Sequence, residues 1–212
     1  WSLGGDPEAP RALPLATVEL SGFLIGRFPV TMGEYIEFLN ALEDPEIASS
    51  RAPRSQDGRY QYLRRDAETG EFSVPLVDDD GDRWDASWPV LGVNHTDALA
   101  YCAWRGGREG ATVRLPTELE WELAARGADD RTHPWGNGFD PSLCCMGDSH
   151  LGRPLPVPVG TYTRDESPWG VRDCAGLVIE WTSTRIGPDV VQRGAGVTSP
   201  PGPSLPRYAP VI

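Results

Sequence analysis

Two carboxylates seven positions apart, with a glycine-centred turn between them, are the residues of this chain best suited to chemistry. Asp173 and Glu180 flank Gly176 in the segment DCAGLVIEW, residues 173–181. Such a stretch can offer two side-chain oxygens and several backbone carbonyls to one hard cation, which is the donor set that calcium prefers. A surface turn that binds nothing would use the same residue types, so the spacing alone leaves both interpretations open.

The run DDDGD at residues 78–82 is a second acidic candidate. Placing Gly81 at the sixth position of an EF-hand loop puts Leu76 at the first ligand position and Ser87 at the last, where Asp and Glu are required. The pattern therefore favours a solvated acidic turn over a metal site.

Other titratable residues give weaker signals. Glu118, Glu120 and Glu122 diverge at helical spacing, so helix capping and a solvated helix face explain them best. The three histidines are far apart in sequence and lack a partner four positions away; they are His95, His133 and His150. We expect no histidine metal site.

Cysteine usage favours reduced structural thiols. The chain has no CxxC pair, and its four cysteines are Cys102, Cys144, Cys145 and Cys174. A disulfide between the two adjacent cysteines would be strained. The pattern fits a cytoplasmic location.

Charge and hydropathy exclude several classes of partner. The formal net charge of −12 would repel a polyphosphate, so neither nucleic acid nor an anionic membrane is an expected partner. No apolar run approaches the ~20 residues of a membrane span, and no signal peptide is visible. The first residue is Trp1, so we expect a trimmed chain or a piece of a longer protein.

Local patterns predict a strand and three helices within one domain over residues 1–212. Alternating apolar residues favour a strand within residues 13–28. Capping residues predict helices that begin after Thr31, near Asn94 and after Thr117. The second helix is expected to stop at residues 106–107 and the third at Gly127. Abundant glycine and proline predict irregular loops elsewhere.

Several ordered motifs give the chain a family resemblance. They are FPVT (28–31), RLPTELEWE (114–122), AARG (124–127), HPWGN (133–137), PVG (158–160), SPWGVRD (167–173), GLVIEW (176–181) and RG (193–194). Together they resemble the formylglycine-generating enzyme family, also known as the sulfatase-modifying-factor domain, over residues 16–197. The segments CCMGDSH (144–150) and DESP (165–168) are similar to bacterial members fused to serine/threonine kinases.

The resemblance implies an α+β, C-type-lectin-like fold with a small twisted antiparallel sheet, two or three helices and extensive ordered loops. It also implies a structural calcium ion held by the side chains of Asp173 and Glu180 and the carbonyls of Gly176 and Val178. A second calcium site of the family needs an Asn near Cys145. That match is missing, so we do not predict the second site.

The catalytic part of the family pattern is not matched. Family enzymes use two cysteines after an RGGSW-like segment to bind copper and oxidise a substrate cysteine, whereas residues 193–212 contain no cysteine. Since Ser and Pro supply no soft, ionisable sulfur, copper is not expected and no catalytic residue is assigned. A three-histidine iron site, as in related sulfoxide synthases, would need a separate helical domain. Leu177 and Ile179 also replace the Asn and Trp of the family turn.

The leading functional hypothesis is a non-catalytic, calcium-stabilised binding or sensory module of a bacterial signalling protein. Its candidate groove comprises Ile179, Trp181, Arg193 and the tail from residue 197 to Tyr208, and its expected partner is a protein or peptide, or another domain of the same polypeptide. The alternative is an active copper-dependent oxidase whose catalytic tail is diverged or lies beyond Ile212. A structural partner domain is a third hypothesis that the sequence does not separate from the first.

Overall fold

The chain combines short helices with small antiparallel sheets, as the α+β prediction requires. The computed structural model describes residues 2–3, 16–78, 80–149, 153–198 and 207–210. It divides into two compact units: unit 1 is Trp1–Pro29 with Leu115–Ile212, and unit 2 is Val30–Arg114. The single domain expected over residues 1–212 stays a prediction.

Unit 2 begins with the first predicted helix. Helix α1 spans Met32–Asn40, and Thr31 and Glu34 form the expected capping box. The sequence prediction missed a short helix α2, Pro45–Ser50, which follows the N-cap Asp44. An Asp N-cap followed by proline at the first helical position is a recognisable start signal.

Helix α3 extends beyond its predicted end. It spans His95–Glu109, with Asn94 as the N-cap, and stops at Gly110, whose φ of 64° lies in the left-handed region. The expected stop at residues 106–107 is therefore wrong. A Cβ on Gly106 would stand 2.7 Å from the carbonyl oxygen of Ala111, so close packing rather than helix termination explains that glycine.

Two short strands and an aromatic core complete unit 2. Strands β3 (Arg64–Arg65) and β4 (Phe72–Ser73) pair antiparallel. The buried core residues are mostly aromatic or aliphatic: Met32, Tyr35, Phe38, Leu39, Ala48, Ala52, Leu63, Phe72, Trp88 and Tyr101. Burial of this set gives unit 2 a core of its own.

Unit 1 opens with less regular structure than the sequence predicts. Strands β1 (Ser2–Leu3) and β2 (Ala16–Thr17) pair antiparallel. Residues 18–28 form no strand, and residues 4–15 lie outside the described part of the chain. The prediction of a strand within residues 13–28 is therefore wrong for its described part after Thr17. Leu24 is fully exposed, whereas the apolar residues on either side of it, Phe23 and Ile25, are half-buried without forming a strand.

The third predicted helix is present with both of its caps. Helix α4 spans Glu118–Arg126, Thr117 forms a capping box with Glu120, and Gly127 is the C-cap. Beyond α4 the described residues contain two single 3₁₀ turns, Pro141–Leu143 and Gly147–Ser149, in agreement with the expected absence of long helices.

A three-stranded antiparallel sheet follows in unit 1. Strands β5 (Glu180–Ile186), β6 (Asp189–Arg193) and β7 (Arg207–Pro210) lie in that order. The register of β5 against β6 shifts between Trp181 and Arg185. Such an irregularity re-aims the side chains and backbone groups of the strand.

The irregular stretch of β5 attaches the strand to the start of α4. Ser183 donates its N–H to the carbonyl of Pro116 (2.8 Å), and the Thr184 hydroxyl accepts the N–H of Glu118 (2.9 Å). This contact satisfies one of the free N–H groups at the start of the helix. It also fixes the position of Glu180, the first residue of β5, relative to α4.

No helix among the described residues is both long and apolar enough to cross a bilayer.

Candidate metal centre

The turn over residues 173–181 packs against the backbone of residues 144–145 and is hydrogen-bonded to it. The Leu177 N–H donates to the carbonyl of Cys145 (2.7 Å), and Val178 N–H donates to the carbonyl of Gly176 (2.9 Å). A Cβ on Gly176 would stand 2.4 Å from that Cys145 oxygen. Only glycine fits this close backbone approach, so the glycine of the motif is required by packing.

Asp173 lies at the beginning of this turn and is 2% exposed. Its φ of 62° is in the left-handed region, which Asp and Asn tolerate better than most residues. The carboxylate accepts the N–H of Gly160 at 2.6 Å. Burial raises the pKa of Asp173, while the Gly160 N–H and the positive charge of Arg172 oppose the rise.

Glu180 lies at the other end of the turn. Part of the residue is exposed, but its carboxyl group is enclosed and accepts the indole N–H of Trp121 at 3.1 Å. Burial raises the pKa of Glu180 to about 7; the hydrogen bond from Trp121 opposes the rise and the negative charge of Asp173 adds to it. The two predicted carboxylates are therefore close enough to act on each other.

A third buried carboxylate, that of Asp165, contacts the same turn and is not among the residues that the sequence predicts for the site. Asp165 is 1% exposed, and both of its carboxylate oxygens accept the N–H of Ala175 (3.2 and 3.0 Å). Burial raises the pKa of Asp165 to about 8, and the charges of Asp173 and Glu180 contribute. The only sequence signal for Asp165 is its place in the segment DESP (165–168), which is similar to family members fused to kinases.

The backbone carbonyl of Val178 has open space beside it because the facing residue, Gly194, has no side chain. Gly194 has a φ of 87°, and a Cβ on it would stand 3.0 Å from the Val178 oxygen and 3.6 Å from the Cys174 oxygen. The absence of that Cβ keeps both carbonyls accessible from one side. Any side chain at Gly194 would crowd this face.

The charges and donors fit a hard cation. Within the described residues, no basic side chain forms an ion pair with Asp165, Asp173 or Glu180. Burying carboxylates without a counter-charge is unfavourable, and a divalent cation would supply that charge. Calcium prefers carboxylate and carbonyl oxygens, which are the atom types that the Asp173 and Glu180 side chains and the carbonyls of the turn offer.

The acidic turn in unit 2 has a different construction. The carboxylates of Asp78, Asp80 and Asp82 have ligand atoms within 4.8 Å of one another. One oxygen of Asp78 accepts the N–H groups of Asp80 and Asp82, and the other accepts the indole N–H of Trp84. Since these bonds already engage both oxygens of Asp78, they explain the turn without an ion.

The glutamates of α4 are buried, so the predicted solvated face is wrong. Glu118 and Glu122 both accept from the guanidinium of Arg193, at 2.8 and 2.6 Å, and Glu122 also pairs with Arg126. Glu120 caps the helix as expected. The glutamates are buried because Arg193 of β6 packs against this face of α4. The spacing of residues within α4 cannot predict a contact with another element.

The residues of the predicted groove lie in different environments. Ile179 and Trp181 are half-buried, whereas Arg193 is 5% exposed and held by the two glutamates. The backbone of Tyr208 pairs with Val191 across β6 and β7, but its side chain and residues 199–206 lie outside the described residues. Leu177 is buried, so its side chain contributes to the interior and not to the surface.

The thiols and histidines of the chain are mostly buried. All four cysteines are buried thiols that form no disulfide, and burial raises the pKa of Cys144 and Cys145 to about 12. Such thiols are poor nucleophiles, which agrees with a structural role. His133 is stacked on Trp135 with ring centroids 5.0 Å apart, and His95 begins α3. His150 lies outside the described residues.

The motifs, the fold and the site agree with one protein family. Residues 2–199 match the family model of the sulfatase-modifying factor enzyme 1-like domain. The chain belongs to this family.

Three relatives indicate the range of proteins within it. The chain is 31% identical to the bovine (Bos taurus) inactive C-alpha-formylglycine-generating enzyme 2, covering 86% of this chain and 65% of that protein. It is 29% identical to the formylglycine-generating enzyme of Mycobacterium tuberculosis, covering 89% and 72%. It is 31% identical to the serine/threonine-protein kinase pkn1 of Chlamydia caviae, covering 97% of this chain and 30% of the kinase.

Structural similarity supports the same fold. PvdO from Pseudomonas aeruginosa superposes with a TM-score of 0.72 at 20% identity, covering 100% of this chain and 85% of that chain. With the family match, this confirms the predicted formylglycine-generating-enzyme fold.

Proposed function

We propose that this chain is a non-catalytic, calcium-stabilised binding or sensory module of a bacterial signalling protein. The observation that carries the calcium part is the turn in unit 1, where Asp173 and Glu180 are enclosed without a basic partner among the described residues. The carbonyls of Gly176 and Val178 complete the proposed ligand set. Calcium would act here as a structural ion that neutralises these carboxylates.

The non-catalytic part rests on the sequence after the turn. The last cysteine of the chain is Cys174, which is fully enclosed, and burial raises its pKa well above the usual value. Residues 175–212 therefore offer no thiolate for copper. The bovine relative, whose name includes the word inactive, supports the idea that this family includes members without the enzyme activity.

The proposed ligand surface lies next to the turn over residues 173–181, which we call the metal turn after the ion proposed for it. Ile179 and Trp181 are half-buried on either side of Glu180, and Arg193 would support this surface from beneath through its bonds to α4. Tyr208 remains a candidate contact. A protein or peptide, or another domain of the same polypeptide, is the proposed occupant, because rigid scaffolds commonly present binding residues on adjoining loops.

The signalling role is proposed from relatives. The chlamydial kinase matches 97% of this chain, which in turn accounts for only 30% of the kinase's length. A domain of this kind is thus compatible with a place beside an effector domain. Sequencing the complete reading frame would test this proposal; a frame without any effector domain would contradict it.

Thermal unfolding with and without calcium tests the structural ion. At a roughly hundredfold excess of calcium over Kd, linkage stabilises the folded state by ~2.7 kcal/mol, which raises the melting temperature by about 5–10 °C. Excess EGTA should abolish the rise, and magnesium at the same concentration serves as the ionic-strength control. Equal melting temperatures in calcium and EGTA would contradict the calcium proposal.

Oxygen consumption distinguishes the binding module from an enzyme. We expect no uptake above background when the chain is mixed with copper and a cysteine-containing sulfatase peptide. The active mycobacterial relative, whose name is formylglycine-generating enzyme, is the positive control. Turnover by this chain would replace the proposal with the alternative, a copper-dependent oxidase.

A further inference from the structure

Asp165 holds the turn over residues 173–181 through both its backbone and its side chain. Its carbonyl accepts the N–H of Asp173 (3.1 Å), while its carboxylate accepts the N–H of Ala175. Its own N–H donates to Tyr162 (3.0 Å). One buried residue thus holds the turn at its first and third positions.

These bonds determine where the carbonyls of the turn point. A trans peptide is planar, so its N–H and C=O groups point in opposite directions. Asp165 holds the Ala175 N–H, and therefore directs the Cys174 carbonyl away from itself. The Cys174 oxygen is outside the proposed ligand set but lies near the proposed ligand oxygen of Val178, since both are within 3.6 Å of the point where a Cβ on Gly194 would stand.

A second peptide group of the turn, Gly176–Leu177, is fixed by another acceptor. Cys145 accepts the N–H of Leu177, which belongs to the same peptide group as the Gly176 carbonyl. The two halves of the turn are thus anchored by two different acceptors. Only one of these acceptors, the Asp165 carboxyl group, is ionisable.

We propose that Asp165 is a positioning residue of the calcium centre, which orients the Cys174–Ala175 peptide and contributes a negative charge to the site without binding the ion. This inference rests on the proposed calcium site. The carboxylate is already engaged by Ala175, so it acts on the ion through the turn and through its field. Mutation of a residue that orients the ligands of a metal typically weakens the metal affinity about 10–100-fold.

Terbium luminescence tests this role on the full chain. Terbium replaces calcium at oxygen sites, and Trp121, whose indole donates to Glu180, lies next to the site and can sensitise its emission. Asp165→Asn removes the charge but keeps an acceptor oxygen. We expect its terbium and calcium Kd to rise about tenfold. Luminescence lifetimes in H2O and D2O should give the same number of bound waters as in the unsubstituted chain.

Two variants calibrate the measurement. Asp173→Asn, at a proposed ligand, should both weaken binding and increase the number of bound waters. Glu166→Gln makes the same charge change at the adjacent position, where the carboxylate pairs with Arg172 and Arg27 nearer the surface. Its Kd should stay within about twofold of the unsubstituted value, as for a solvent-screened charge.

The outcomes separate this inference from the calcium proposal. An Asp165→Asn Kd equal to that of Glu166→Gln would overturn the positioning role, and an added water would make Asp165 a direct ligand. If Asp165→Asn does not fold by circular dichroism, Asp165→Glu decides, since retained charge should keep most of the affinity. A tenfold loss in Asp165→Glu would overturn the charge argument. If the unsubstituted chain binds neither ion, the calcium proposal fails first, and this inference fails with it.

Discussion

At the scale of single residues, the metal turn concentrates negative charge where water is largely excluded. Asp165 and Asp173 are buried; the charges of Asp173 and Glu180 add to the rise in the pKa of Asp165, and the charge of Asp173 adds to the rise in the pKa of Glu180. Each carboxylate has hydrogen-bond donors, so none is unsatisfied. What the group lacks, among the described residues, is a paired cation, and this lack is the physical reason to expect an ion there.

Asp173→Asn should show opposite effects in calcium and in chelator. Asn keeps the acceptor for Gly160 and tolerates the left-handed backbone, so the fold is retained. With saturating calcium we expect the variant to be less stable by up to ~2.7 kcal/mol, the linkage at a roughly hundredfold excess. In EGTA the difference should vanish or reverse, because one of three repelling carboxylates is gone. Urea unfolding in both buffers measures this.

Asp129→Asn is the matched control for that experiment. Asp129 is exposed and pairs with Arg131 at the surface. Its substitution should change stability by less than ~1 kcal/mol, equally in both buffers. Because the variant keeps the acceptor for Gly160, an equal loss of stability in calcium and in EGTA would contradict a role of Asp173 in calcium binding.

At the scale of elements, helix α4 connects the metal turn to the sheet. Trp121 on this helix donates to Glu180, and the Glu118 and Glu122 side chains hold Arg193 of β6. Burial raises the pKa of Glu118, while the positive charge of Arg193 opposes the rise. The helix therefore sets the positions of two strands of the same sheet.

Arg193→Met should strongly destabilise the protein. Removing the cation leaves two buried glutamates without their shared counter-charge, and breaking a buried ion pair typically costs about 3–5 kcal/mol. Arg108→Met, which removes an exposed partner of Glu37, should cost less than ~1 kcal/mol. Urea denaturation of both variants in calcium makes the comparison. Similar values for the two would argue against a structural role for the Arg193 network.

Gly176→Ala tests whether the turn and residues 144–145 are held in direct contact. The added Cβ would stand 2.4 Å from the Cys145 oxygen, so the backbone must shift; overpacking of this kind costs about 1–3 kcal/mol. Gly138→Ala is a suitable control, since a Cβ there meets nothing within 4 Å. We expect a lower melting temperature and weaker calcium binding for Gly176→Ala alone. Unchanged calcium affinity would indicate that this contact does not shape the site.

At the scale of the whole molecule, the excess of acidic residues makes stability depend on cations and on pH. The formal net charge is −12, and part of the negative charge is concentrated in the enclosed carboxylates of unit 1. Ionised carboxylates repel one another and so destabilise the folded state of an acidic protein. A bound calcium ion would reduce the repulsion within the turn and would also lower the net negative charge of the whole protein.

Calcium-free protein should lose stability as the pH rises from about 5 to about 8. The folded pKa is about 8 for Asp165 and about 7 for Glu180, above the unfolded values of about 4, so the folded state binds more protons in this window. Their contribution is complete below about pH 4 and is lost as the pH passes the folded pKa. Urea unfolding in EGTA across this range measures the decline. Saturating calcium, which favours the ionised forms, should remove it; a decline that calcium does not alter would contradict the assignment.

Local sequence patterns determined those parts of the protein that depend on neighbouring residues. The capping boxes at Thr31 and Thr117 and the glycine at residue 127 predicted α1 and α4 correctly, because caps satisfy nearby backbone donors. Long ordered motifs gave the family and the α+β fold. They also led to the proposal of Asp173 and Glu180 as ligands.

Only the tertiary structure decided which distant residues surround those elements. It buried the α4 glutamates by placing Arg193 against them, and it brought Asp165 to the turn that begins eight positions later. It also showed that α3 continues through Gly106, where close packing and not termination selects glycine. Each of these depends on a contact between segments, whose partner cannot be identified from spacing within one segment. The sequence alone therefore identifies Asp173 and Glu180 as candidate ligands. Their burial, which makes an unpaired negative charge unfavourable and so favours a bound cation, is a consequence of the tertiary fold.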